Sequence, residues 1–192
     1  INHRTENTVT VSDDVAELIS VGLKYYQISN GKFDITVAPL SDLWDFKSKD
    51  ASVPDADDIA EALSKVGADQ LSLSGNTLTF ASDDVMIDLG ALVKGFAADQ
   101  MKTYLTENGV TSGLLNLGGN VLTIGSRPDG SDWSIGIQKP FDDNDPIIDV
   151  VKVKDQTVVS SGIYERYFKQ DGVIYHHILD PDTGYPIQND LW

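Results

Sequence analysis

The chain contains no cysteine. Disulfide scaffolds, thiolate zinc sites and cysteine nucleophiles are excluded together. Positive charge is scarce: 14 Lys and Arg stand against 30 Asp and Glu, a formal net charge of 14 − 30 = −16. That is the wrong sign for tracking a phosphate backbone, so nucleic acid is not an expected partner. It is also wrong for an anionic membrane surface. A small anionic substrate would be repelled too, unless a cation or a cluster of N–H donors screens it. No apolar run approaches the ~20 residues of a membrane-spanning helix. The chain opens at Ile1, with neither Met nor a basic-then-apolar leader, as expected of a processed chain or a fragment.

What is present suits a globular fold. The chain has 192 residues, 41% of them hydrophobic. That is expected to make one domain over 1–192, or two tightly joined lobes. A first helix is predicted over Asp13–Tyr26, with Val15, Leu18, Ile19, Gly22 and Tyr26 on one stripe and Asn30-Gly31 as its stop. Gly31–Leu40 reads as a short extended piece broken by Pro39. A second helix is predicted over Asp55–Lys65, started by Pro54 and ended by Gly67. Gln70–Leu73 and Thr77–Phe80 flank Ser74-Gly75-Asn76 as a hairpin. Val85–Leu89 reads as a strand running into a third helix, Leu92–Thr106, whose stripe includes Leu92, Val93, Phe96, Ala97, Met101, Tyr104 and Leu105.

The second half is mostly strands: 113–117, 121–125, 133–137, 148–153, 157–160, 164–168 and 173–179. Early helices and late, antiparallel-looking strands point to α+β, a mixed, largely antiparallel sheet covered by helices. The acidic loop Asp142–Pro146 lacks EF-hand spacing and reads as a solvated turn.

Three stretches could carry chemistry. In Asp88-Leu89-Gly90-Ala91-Leu92-Val93-Lys94-Gly95 a strand ends in an acid, and a helix start follows whose free N–H groups attract phosphate. From pattern alone a plain strand–helix turn with Gly for packing is the better-supported reading, and no nucleotide-binding fingerprint is matched. Asn116-Leu117-Gly118-Gly119-Asn120 permits close backbone approach, or simply a tight hairpin. Tyr175-His176-His177-Ile178-Leu179-Asp180-Pro181-Asp182-Thr183-Gly184-Tyr185-Pro186 holds two of the three histidines ahead of a reverse turn. Adjacent strand residues face opposite sides, so the pair suits one general base or phosphate partner rather than a metal, or simply a partly buried imidazole on a strand that leads into the turn. Trp44 and Phe46 could stack on a flat ring or simply fill the core.

In this order, these segments resemble the ApbE family, the FAD:protein FMN transferases. The matching stretches are Gly31–Leu40 with Leu43-Trp44-Asp45-Phe46, then Asp88–Asp99, Asn116–Asn120, Ser160–Phe168 and His176–Pro186. The resemblance implies an α+β fold with FAD in a central cleft. It implies splitting of the FAD pyrophosphate, with FMN passing to a Thr or Ser hydroxyl of an acceptor protein and AMP leaving. It further implies a requirement for magnesium (Mg2+) and a lipid anchor on the outer side of the cytoplasmic membrane.

Carried over by position, Trp44, Asp45, Phe46, Asp88, Lys94 and Ile178 would contact FAD, and Ala91 would offer its carbonyl to magnesium. His177 matches the family's active-site histidine, with His176 facing away. Magnesium would neutralise the pyrophosphate and so answer the net charge of −16. Ile163 stands where an acid is common and Ser160 where Thr is common. The family's C-terminal magnesium-binding Asp and Thr, and its N-terminal lipid-bearing cysteine, are not among these residues. The 192 residues are therefore expected to be a piece of a longer protein. A pyrophosphatase that uses water, or a flavin-binding module without turnover, remain the alternative readings.

Overall fold

The structure, a computed structural model, describes residues 1–141 and 146–188. In chain order its elements are β1 (Thr8–Thr10), α1 (Asp13–Ile28), α2 (Ala38–Trp44), α3 (Ala56–Leu63), β2 (Leu71–Ser74), β3 (Thr77–Phe80), α4 (Gly90–Glu107), β4 (Gly113–Leu117), β5 (Asn120–Ile124), β6 (Trp133–Gln138), β7 (Ile147–Val153), β8 (Thr157–Val158), β9 (Tyr167–Gln170) and β10 (Val173–His176). The described residues divide into two compact units, Ile1–Ala91 with 165–188, and Leu92–Tyr164.

In the first unit, β1, β3 and β2 form an antiparallel sheet in that order, and β9 pairs with β10. The hairpin predicted around Gly75-Asn76 is present, with Leu71 opposite Phe80. Leu78 and Phe80 alternate inward from β3, as a half-buried strand requires. Helix α1 buries Ala16, Leu18, Ile19 and Gly22. Gly22 is required there: a Cβ would lie 2.6 Å from Ile35 Cγ2. Helices α2 and α3 pack Leu40, Trp44, Ile59 and Ala62 into one cluster, joined by Phe46, Phe168, Tyr175 and Leu179.

The second unit carries β4-β5-β8 and the separate ribbon β6–β7. Every strand pairing described is antiparallel. Its core is Ala98 of α4 against Leu122 and Ile124 of β5. Gly118 and Gly119, both at positive φ, close the β4–β5 hairpin, as a two-residue turn of that hand demands. The α+β class holds, but the strands among the described residues form four small sheets rather than one.

Four sequence expectations are corrected. Gly31–Val37 is loop, not an extended strand, and Ala38–Trp44 is helical. The Asp34 carboxylate folds the loop back on Thr36, and Pro39 sits in the first turn of α2, where its missing N–H is harmless. Val85–Leu89 joins no sheet. Ile87 instead exchanges two hydrogen bonds with the Asn2 side-chain amide, and Asp88 N–H donates to Ile35 O. The α4 stripe differs in part from the expected one. Ala98 is buried, whereas Val93, Met101 and Tyr104 are exposed. Three late strands differ from expectation: β8 ends at Val158 rather than Ser160, β9 runs over Tyr167–Gln170 rather than Tyr164–Phe168, and β10 ends at His176 rather than Leu179. The acidic loop expected over 142–146 lies, except for Pro146, outside the described residues.

Candidate functional site

The Asp-Pro-Asp-Thr-Gly run builds a closed turn from its own side chains and backbone. Asp180 Oδ1 accepts from Asp182 N–H at 3.0 Å. Asp180 O accepts from Gly184 N–H at 2.8 Å and from Thr183 N–H at 3.2 Å, and Asp180 N–H donates to Tyr185 O at 2.8 Å. Gly184 holds φ +74°, and a Cβ on it would lie 2.8 Å from Ile59 Cγ2. Only glycine meets both demands.

Two stretches singled out separately in the sequence, 31–46 and 176–186, meet at this turn. Trp44 Nε1–H donates to Gly184 O at 2.8 Å. Lys32 Nζ donates to Asp182 Oδ2 at 2.7 Å and Asp180 Oδ1 at 3.0 Å. These bonds to Asp182 and Asp180 raise the Lys32 pKa. The Asp182 N–H, ahead of Lys32, holds the Asp180 carboxyl below its usual value.

Trp44 is 1% exposed. Its ring stacks on Phe46 at 5.5 Å and on Tyr175 at 5.7 Å, and Tyr185 meets it edge-on. Asp45 caps α2 in the left-handed conformation and is exposed, while Phe46 and Ile178 are half-buried. The contact residues expected in this stretch thus lie on the rim of an aromatic core, with Trp44 inside it.

The two histidines differ in what their nitrogens do. His177 Nδ1 lies 3.3 Å from Arg166 O, which also accepts the His177 backbone N–H at 3.1 Å. A carbonyl only accepts, so Nδ1 carries the proton and the lone pair of the neutral ring sits on Nε2. His176 uses both nitrogens on backbone: Nε2 lies 2.8 Å from Ile187 O, and Nδ1 accepts from Ile178 N–H at 3.3 Å. Burial lowers the pKa of each, which favours the neutral rings these bonds require.

Asp88 is exposed, and its Oδ1 accepts from Gly90 N–H at 2.7 Å, holding the first residue of α4. In the second unit, Lys94 Nζ donates to Gly118 O at 3.1 Å, so two of the stretches noted in the sequence meet there as well. Ala91 is the second residue of α4. Its carbonyl is a single neutral oxygen, and a hard dication takes about six oxygens. Among the described residues, no group of three or more His, Asp or Glu could hold a metal ion. Ala91 and its described neighbours therefore do not form a magnesium site by themselves.

Sequence reasoning missed a buried network beside the turn. Asp34 Oδ1 accepts from Thr36 N–H at 2.7 Å and Thr36 Oγ1–H at 2.6 Å, and its Oδ2 accepts from Ala68 N–H at 3.0 Å. Thr36 Oγ1 in turn accepts from Gly67 N–H at 2.7 Å. The signal available was Phe33-Asp34-Ile35-Thr36, an acid two residues ahead of a hydroxyl. The first unit also carries two open depressions. One is lined by Asp42, Asp58, Glu61, Lys65, Asp83 and Asp84, and the other by Tyr26, Asp34, Asp69 and Asp182. Burial, then Asp69, Asp34 and Asp182, raise the Tyr26 pKa in the second. Neither touches Trp44, Asp45, Phe46, Asp88, Ile178 or His177.

Known proteins resemble the whole of this chain. It is 40% identical over 194 residues to a FAD:protein FMN transferase of Klebsiella pneumoniae, spanning 100% of this chain and 60% of that one. To the FAD:protein FMN transferase of Treponema pallidum it is 34% identical over 198 residues, 95% of this chain and 55% of the other. The crystal structure of the ApbE protein of Thermotoga maritima superposes with a TM-score of 0.87 at 36% identity, over 97% of this chain and 61% of that one. The flavin transferase ApbE of Vibrio cholerae gives 0.85 at 30% identity, over 98% and 60%. The chain thus spans about 60% of the length of these relatives. With a family match over residues 1–192, the chain belongs to the ApbE family.

Proposed function

We propose that this chain is part of a FAD:protein FMN transferase. FMN passes from FAD to a Thr or Ser hydroxyl of an acceptor protein, and AMP leaves. The family match supports the activity, and relatives over the whole chain are named for it. The observation that carries the mechanism is His177, with Nδ1–H committed to Arg166 O and the Nε2 lone pair left over.

In the proposed step the acceptor hydroxyl gives its proton to His177 Nε2. Its oxygen then bonds to the FMN phosphorus of FAD, and the P–O bond to AMP breaks, its electron pair leaving with AMP. A neutral imidazole is the base this needs, and burial keeps His177 in that form. His176 has no lone pair to offer, since Ile178 N–H occupies its Nδ1.

Asp45, Phe46, Asp88 and Ile178 are proposed FAD contacts, with Trp44 acting from the core behind Phe46. Lys94 is a further proposed contact, a cation for an anionic ligand in a chain of net charge −16. Magnesium dependence is proposed from the charge of the pyrophosphate. Ala91 would give that ion one oxygen, and no step here is routed through it. A lipid anchor outside these residues, on the outer face of the cytoplasmic membrane, belongs to the same proposal. The alternative reading is a module that binds FAD without turning it over.

Product analysis with FAD, magnesium and an acceptor domain separates the readings. A flavinylated acceptor supports transfer, and free FMN with AMP means water has replaced the hydroxyl. Intact bound FAD means a binding module. His177→Ala should lower transfer by about 10²–10⁴-fold at unchanged FAD affinity, as loss of a general base does. Transfer that survives His177→Ala refutes the base assignment.

A further inference from the structure

We infer that His176 is a positioning residue, a neutral imidazole inserted into the ladder of the 178–187 turn in place of a missing backbone hydrogen bond. The inference rests on the transferase reading for its consequence, but not for its geometry.

Ile178 and Ile187 face each other at the base of the turn. An antiparallel pair of this kind normally exchanges two backbone bonds. One is present: Ile187 N–H donates to Ile178 O at 2.9 Å. The reciprocal bond, from Ile178 N–H to Ile187 O, is carried through the imidazole. Ile178 N–H donates to His176 Nδ1 at 3.3 Å, and His176 Nε2–H donates to Ile187 O at 2.8 Å. The next pair up, Leu179 with Pro186, is a non-hydrogen-bonded position of the ladder, and beyond it Asp180 N–H donates to Tyr185 O. Of the two bonds expected between Ile178 and Ile187, one is therefore direct and the ring supplies the other.

His176 is 5% exposed, so water does not readily replace it. Only the Nε2–H tautomer makes both bonds, because Nδ1 must accept while Nε2 donates. The ring also sets where its neighbours point. His177 N–H is fixed on Arg166 O and Ile178 N–H on the ring, so the peptide units on both sides of the His177 Cα are held. Histidine fits here for its donor–acceptor span across one ring, a property glutamine shares through its amide.

The test uses the 192-residue chain and two variants, His176→Ala and His176→Gln. Amide hydrogen exchange at Ile178 and Ile187 should quicken by roughly tenfold or more in His176→Ala, the effect of losing buried hydrogen bonds. In His176→Gln it should stay within about threefold of the parent, since the amide restores both partners. Unchanged exchange in His176→Ala overturns the inference. Equal quickening in both variants does so as well, because it would mean ring volume rather than hydrogen bonding holds the turn.

If His176→Ala does not fold, nitrogen NMR of the parent ring decides. The Nε2–H tautomer at neutral pH supports the clamp, and the Nδ1–H tautomer or an imidazolium refutes it. With FAD and acceptor, His176→Ala should lower kcat more than it raises KM, and His176→Gln should recover it. A parent that neither binds FAD nor transfers FMN sinks the proposed function, while the exchange and NMR arms still judge the clamp.

Discussion

Gly184→Ala tests how the Asp180–Tyr185 turn is seated. Two independent penalties meet at this residue. Gly184 holds φ +74°, where a Cβ costs about 1–2 kcal/mol. The new methyl would also lie 2.8 Å from Ile59 Cγ2 and 3.1 Å from Leu40 Cδ2. Ile59 is 2% exposed and Leu40 is fully buried, so neither can swing into solvent. Overpacking of a tight core adds about 1–3 kcal/mol.

The sum is a destabilisation of about 2–5 kcal/mol. The control is Gly172→Ala: φ +83° and nothing within 4 Å of the new Cβ, so only the backbone penalty of about 1–2 kcal/mol applies. Urea unfolding followed by tryptophan fluorescence measures both, since Trp44 donates to Gly184 O and reports on the turn. Ile59→Ala removes the clashing Cγ2. In the double variant the methyl at 184 fills part of the space left at 59, so the two losses should fall short of additivity by about 1 kcal/mol or more. Gly184→Ala no worse than Gly172→Ala, or strict additivity with Ile59→Ala, would refute the packing argument.

Other outcomes follow from the same geometry. Asp34→Ala strands the N–H groups of Thr36 and Ala68 in a buried site and should destabilise by about 2–5 kcal/mol, with Asp34→Asn milder, in the same urea assay. Stability should be flat from about pH 7 to about pH 9 and fall as pH drops below 6.5. The unfolded histidines take up protons there, while burial holds the folded pKa values of His176 and His177 lower. Replacing both by Gln should flatten that slope, and a slope that persists assigns it elsewhere. Asp88→Ala should weaken FAD binding in a calorimetric titration with the far-UV circular dichroism unchanged. Asp88→Asn keeps an acceptor for Gly90 N–H but drops the charge, so equal affinity in Asn and parent would mean the cap, not the charge, matters.

Local chemistry was legible in the sequence where neighbours in the chain are also neighbours in space. The Gly75-Asn76 and Gly118-Gly119 hairpins and the Asp-Pro-Asp-Thr-Gly turn are set by residues within four positions of each other, and all three form. The α+β class followed from the order of helical and strand-like patterns. Patterning misled where apolar residues were common to several faces. Helix α4 has apolar side chains around much of its circumference, so its pattern does not single out Ala98 as the buried centre, and Leu92, Phe96, Ala97 and Leu105 of the expected stripe are half-buried while Val93, Met101 and Tyr104 are exposed.

The roles of the histidines could not be read from alternation, because both faces of that strand are apolar at Tyr175, Ile174, Ile178 and Leu179. Tertiary structure decided them. Arg166 O lies eleven residues before His177 and Ile187 O eleven after His176, and each carbonyl fixes the tautomer of the ring it meets. Lys32 reaches Asp180 and Asp182 across about 150 residues, and Trp44 reaches Gly184 across 140. Hydrogen bonds of that sequence separation depend on where the whole chain packs, which a local pattern of side chains does not encode.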